Sequence, residues 1–96
     1  MDKIEARKVL AQEMDLLQTK SYSDFQEMVG SPDVFERKGH SGVLYQIEVD
    51  VFWDDPRKMA GDLRVIVSID DGRFLSSLKP LSADFIIDQY GNFIDE

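Results

Sequence analysis

The sequence predicts an α+β fold: an N-terminal helix, either followed by a separate helical piece or continuous with it through a kink near residues 20–22, packed on a four-stranded antiparallel meander, and a short C-terminal segment docking back. Three observations predict it. Residues 42–55, GVLYQIEVDVFWDD, form the longest period-2 run of the chain, and alternation at period 2 marks a strand with one buried face. Residues 2–19 place Ala6, Leu10, Met14 and Leu17 at helical spacing. Asp71-Gly72 follows an alternating run, and Asp-Gly is a strong type I′ hairpin signal.

Each element follows in order. The first helix has Val9 and Leu16 beside its apolar stripe, with Lys3, Arg7, Lys8, Glu13 and Asp15 on its solvated side. Asp2 and Glu5 suit the positive end of its dipole. Ser23-x-x-Gln26 has the form of a capping box for a second helical piece, with Phe25, Met28 and Val29 apolar. Gly30-Ser31-Pro32 ends it, since proline cannot continue a helix. Residues 34–38 read as a short strand and residues 39–42, Gly-His-Ser-Gly, as a turn.

In the long strand, Val43, Tyr45, Ile47, Val49, Val51 and Trp53 point inward. Gln46, Glu48 and Asp50 point outward with Leu44 and Phe52. A loop with Asp-Pro at 55–56 follows. Residues 62–70 form the next strand, with Leu63, Val65, Val67 and Ile69 inward and Arg64, Ile66 and Ser68 outward. A two-residue Asp71-Gly72 turn would set Asp70 opposite Arg73, Ile69 opposite Phe74, Val67 opposite Ser76 and Val65 opposite Leu78. Pro80 would end that fourth strand. Residues 82–88 read equally as a capped helical turn or a last strand. The whole is expected as one domain over residues 1–96, with a helical part at about 2–29, a sheet at about 33–80 and the C-terminal segment at 81–96.

The motifs Tyr45-Gln46-Ile47-Glu48-Val49, Trp53-Asp54-Asp55, Leu63-Arg64-Val65, the 68–72 turn SIDDG, and Pro80-Leu81-Ser82 with Phe85-Ile86 resemble small bacterial proteins of unknown function over about residues 20–94. The element order resembles cystatin-like or NTF2-like small domains. Neither resemblance implies an activity, a cofactor or a catalytic residue.

Composition narrows the function classes. The 96 residues include 43% hydrophobic and ten aromatic side chains, which suits a folded core of about 60–65% buried surface rather than disorder. There is no cysteine, so disulfides and thiolate metal sites are excluded. The net charge of −8 disfavours nucleic acid and anionic membranes, both of which need Lys and Arg. No apolar run approaches the roughly 20 residues of a membrane span, and no apolar stretch of signal-peptide length opens the chain. A cytoplasmic protein is expected.

The chain has none of the phosphate-loop, dinucleotide, serine-hydrolase, HExxH or EF-hand patterns. The one histidine, His40, sits in a turn without a nucleophile pattern. No catalytic residue, metal ligand or cofactor is assigned. Glu48 and Asp50 share the outward strand face at about 6.5–7 Å, a spacing open either to acid/base work or to ion pairing with Arg64. Asp54-Asp55 and Asp70-Asp71 are expected at opposite ends of the sheet and serve turns.

Leu44, Phe52, Ile66 and Leu75 all face outward, where a one-sided sheet would be polar. Either the C-terminal segment covers them, or they are scattered exposed residues, or they form an interface. The favoured reading is a non-catalytic interaction domain using this face, as a homodimer or with a basic protein partner met by Glu48, Asp50, Asp54 and Asp55. The alternative is a ligand-binding domain or enzyme with a pocket between helix and sheet.

Overall fold

A computed structural model of the chain describes residues 2–72 and 81–94. Helix α1 (Lys3–Leu17) is followed by α2 (Tyr22–Glu27), then strands β1 (Asp33–Lys38), β2 (Leu44–Trp53), β3 (Leu63–Asp70), β4 (Leu81–Ile87) and β5 (Phe93–Ile94). The strands form one antiparallel sheet in the order β1-β2-β3-β4-β5. The α+β class and the helix-on-meander architecture are as expected, with five strands in place of four.

The helix starts are set by side-chain caps. Asp2 accepts from the backbone N–H groups of Ile4 and Glu5. Ser21, not Ser23, caps α2: its hydroxyl accepts from the Asp24 N–H, and the Asp24 carboxylate accepts from the Ser21 N–H. Aspartate thus takes the place the expected box gave to Gln26. The helices are separate, divided by residues 18–21 rather than kinked. Ala6, Val9, Leu10 and Leu17 of α1 are buried, whereas Leu16 is 56% exposed.

The inner face of the sheet is the core. Ile47, Val49, Leu63, Val65, Val67 and Ile69 are all at 0% exposure, in the alternation the sequence carries. Phe25 of α2 meets Phe85 of β4 edge-to-face at 5.7 Å, and Phe85 meets Phe93 of β5 at 5.5 Å, which ties three elements through aromatic rings.

The chain corrects the expected fourth strand. β3 pairs with residues 81–87, with Val67 opposite Ala83 and Val65 opposite Phe85, instead of with Ser76 and Leu78. Asp71 lacks the positive φ a type I′ turn requires; the Asp70 carboxylate instead accepts from the Gly72 N–H at 2.7 Å. The local Asp-Gly signal yields to a better partner strand, since Leu81, Ala83, Phe85 and Ile87 alternate onto the inner face. The expected strand residues 73–80, with Leu75 and Pro80, lie outside the described residues. The C-terminal segment docks back as expected, with β5 pairing at the sheet edge and Phe93 packing on Phe85.

Candidate functional site

The strand registers decide which outward side chains are neighbours. Phe52, Arg64, Ile86 and Ile94 stand in one row across β2, β3, β4 and β5. Asp50, Ile66 and Asp84 form the next row, and Val34, Glu48, Ser68 and Ser82 the one after. Cross-strand neighbours lie about 5 Å apart, so Phe52 and Ile86 flank Arg64 across the sheet, Ile66 lies two residues along β3 from it, and Ile94 lies beyond Ile86. Phe52 is 51% exposed and Ile86 only 6%; Ile66 is half-buried.

Leu44, 55% exposed, does not join them. It sits opposite Lys38, eight positions from Phe52 along the strand, or about 27 Å. Of the expected interface set, Phe52 and Ile66 come together, Leu44 stands apart, and Leu75 lies outside the described residues.

The carboxylates occupy the centre and one end of this face. Glu48 and Asp50 lie two residues apart, and a side-chain hydrogen bond with Asp50, then the Asp50 charge, holds the Glu48 carboxyl above the usual glutamate pKa. Like charges this close disfavour joint ionisation. Arg64, expected to pair with them, is instead opposite Phe52 and is gripped by Asp54 and Asp84. Asp55 accepts from Arg57 within its own loop. The register puts Asp54 and Asp70 at opposite ends of the β2–β3 ladder. Beside Glu48, a depression of about 200 Å³ lined by Val34, Gln46, Ser68 and Asp70 is below the roughly 300–1,000 Å³ of small-molecule sites.

Sequence reasoning missed two carboxylates on the helix side. Glu5 accepts from the Tyr45 hydroxyl at 2.7 Å, from the Ser41 hydroxyl at 2.6 Å and from the Ser41 N–H at 3.0 Å. These bonds hold its carboxyl below the usual glutamate value, the Ser41 hydroxyl foremost. Burial, aided by the Glu5 bond, pushes the Tyr45 hydroxyl up to about 12. The clamp needs Gly39: a Cβ there would stand 2.6 Å from a Glu5 carboxylate oxygen.

Glu13, expected on the solvated side, is 4% exposed. It pairs with Arg37, whose guanidinium lies 4.6 Å over the Phe35 ring. The signal was present: Glu13 is four residues before Leu17 and four after Val9, on the buried stripe. Likewise an inward Tyr45 must bring a partner for its hydroxyl. The Tyr22 hydroxyl donates to the Gly61 carbonyl at 2.7 Å and fixes α2 to the β2–β3 loop. Among the described residues every buried side-chain nitrogen and oxygen has a partner.

Among the described residues no group of three or more carboxylates and histidines could hold a metal ion, and no helix is long and apolar enough to cross a membrane. Comparison of the chain with protein-family models, curated proteins and solved structures found no match.

Proposed function

We propose that the protein is a non-catalytic interaction domain whose outer sheet face receives a basic protein segment with apolar flanks. The observation that carries this reading is the exposed Phe52 and Ile94 with half-buried Ile66 beside the Glu48–Asp50 pair, all on the outer face of the sheet. The apolar group supplies area removed from water. The carboxylates supply direction: a Lys or Arg set between Glu48 and Asp50 would relieve their mutual repulsion, so binding there is coupled to ionisation of Glu48.

The same charge argues against this face meeting its own copy. Among the described residues Glu36, Glu48, Asp50, Asp70 and Asp84 outnumber Lys38 and Arg64 on it, and like charges brought together cost affinity. A ligand pocket under the helix finds less support, because Ile47, Val49, Leu63, Val65, Val67 and Ile69 beneath it are closed at 0% exposure.

The test is a displayed library of random linear peptides selected against the full chain. The expected binders alternate apolar residues with Lys or Arg, weaken as salt rises, and shift the amide resonances of Glu48, Asp50, Phe52 and Ile66. The variant Phe52→Thr with Ile66→Thr abolishes those shifts while staying folded. Binders that are neutral or acidic, or that shift residues of α1 instead, would overturn the reading.

A further inference from the structure

The geometry points to a second interaction surface: the free edge of β1, which fits a second copy of the same strand running antiparallel, with Phe35 on the dyad. This does not depend on the outer-face reading.

The backbone comes first. The Gly39 N–H donates to the Val43 carbonyl at 2.9 Å, in line with a register that sets Arg37 opposite Tyr45, Phe35 opposite Ile47 and Asp33 opposite Val49. Hydrogen-bonded and non-hydrogen-bonded pairs alternate in an antiparallel ladder. The odd-numbered residues of β1 therefore bond to β2. The N–H and C=O groups of Val34, Glu36 and Lys38 point away from the sheet, along an edge that no described strand occupies. Such an edge is a template for another strand. Pro32 has no N–H to offer at the next outward position, which limits the template to these residues.

Side chains then choose the occupant and the register. For two copies whose helices lie on the same side of a joined sheet, residues of like parity must face each other. Centring on Phe35 places Asp33 opposite the second copy's Arg37, twice by symmetry, and Val34 opposite Glu36. It aligns the outward N–H and C=O groups of Val34 and Glu36 for mutual bonding. Centring on Glu36 would oppose two glutamates, and centring on Val34 would leave Arg37 facing Ser31 and Asp33 facing Phe35. Opposite charges directly across strands stabilise and like charges destabilise, so one register is selected. Arg37 can serve both its own Glu13 and the second copy's Asp33, because a guanidinium has several donors in a fork.

The helix side of the same edge agrees. A groove of about 310 Å³ runs between the end of α1 and β1, lined by Leu16, Leu17, Lys20 and Phe35 among others. Leu16 is 56% exposed there, beside the buried Leu17. The dyad would bring the second copy's Phe35 and Leu16 to this groove. The product is a continuous ten-stranded sheet with both outer faces still open.

The experiment is sedimentation velocity of the full chain across a concentration series, joined with amide hydrogen exchange. The expected result is a dimer whose formation protects the Val34, Glu36 and Lys38 amides. Phe35 and Arg37, already bonded to β2, change little. Glu36→Pro removes an outward donor that β2 does not use, and yields a folded monomer. Asp33→Lys sets Lys against Arg37 and weakens dimerisation about tenfold. Phe52→Thr leaves the dimer intact. A chain that stays monomeric into the millimolar range overturns the proposal, as does a dimer that survives both β1 variants or that Phe52→Thr dissolves. If Glu36→Pro fails to fold, the exchange pattern decides: protection away from Val34, Glu36 and Lys38 overturns the edge-strand pairing.

Discussion

On the helix side of the sheet, Glu5 and Glu13 each end on donors, from Ser41, Tyr45 and Arg37. On the far side, Glu48 rests against Asp50. The apolar residues differ in the same sense. Phe25 on the inner side is at 0% exposure and Phe52 on the outer side at 51%. The inner face is closed and its glutamates have donors, whereas the outer face pairs Arg64 with Asp54 and Asp84 but leaves Glu48 against Asp50 and Phe52 half in water. The difference teaches where folding ends and recognition begins: groups satisfied within the chain hold the fold, while groups left in tension are available to a partner.

The largest expected effect tests the aromatic half of this contrast. Phe25→Ala should lower the unfolding free energy by about 3–5 kcal/mol, read from urea denaturation. Phe52→Ala should cost about 1 kcal/mol, because half of its surface is already in water. Equal losses would erase the distinction between the faces.

Next in size is Gly39→Ala. The added methyl would press on the Glu5 carboxylate and loosen its bonds to Ser41 and Tyr45. A loss of about 1–2 kcal/mol is expected. In the Glu5→Ala background the same substitution should cost far less, a coupling that a double-mutant cycle measures directly.

Two smaller effects differ in sign with pH. Glu5 has a lowered pKa in the folded state. Its contribution is present above the ordinary value of 4.5 and is lost as pH falls through the folded value. Glu5→Gln should therefore lower the thermal midpoint at neutral pH and matter less in acid. Glu48 has a raised folded pKa. Its ionisation opposes folding, and that cost grows as pH rises from the ordinary value of 4.5 through the folded value. Glu48→Gln should raise the midpoint at neutral pH and leave it unchanged in acid. Thermal melts across pH would show both, and a destabilising Glu48→Gln would mean that the ionised pair is already compensated.

Much of the fold was legible because burial imposes periodicity. Residues 43–53 and 63–69 alternate in sequence as they do in space, and Ala6, Leu10 and Leu17 mark the face of α1 that docks. The fourth strand was not legible, because Asp71-Gly72 is a local signal and strand pairing is a competition between distant segments. Ser21 and Ser23 both precede a residue able to close a capping box, and only the path of the chain chooses between them. For the site, the sequence placed Phe52, Ile66, Glu48 and Asp50 on one face. Leu44 and Phe52 are eight positions apart on one strand, so their separation was legible too; register across the sheet decided only that Ile66 falls beside Phe52 and not beside Leu44. Arg64 went to Asp54 and Asp84 because a loop and a strand not adjacent in sequence met beside it.

The most direct measurement compares paired threonine substitutions on the two faces of the same ladder. Val49→Thr with Val67→Thr alters directly opposed inner residues, and Phe52→Thr with Ile66→Thr alters the outer group. Threonine keeps the β-branched shape of valine, so the inner pair reports the burial of two hydroxyl groups, each costing about 1–3 kcal/mol. The inner variant should lose several kcal/mol in urea denaturation, while the outer variant unfolds cooperatively within about 1–2 kcal/mol of the parent and no longer binds basic peptides. An outer variant that unfolds as readily as the inner one would show that Phe52 and Ile66 belong to the core, and would contradict the assignment of the outer face to a partner.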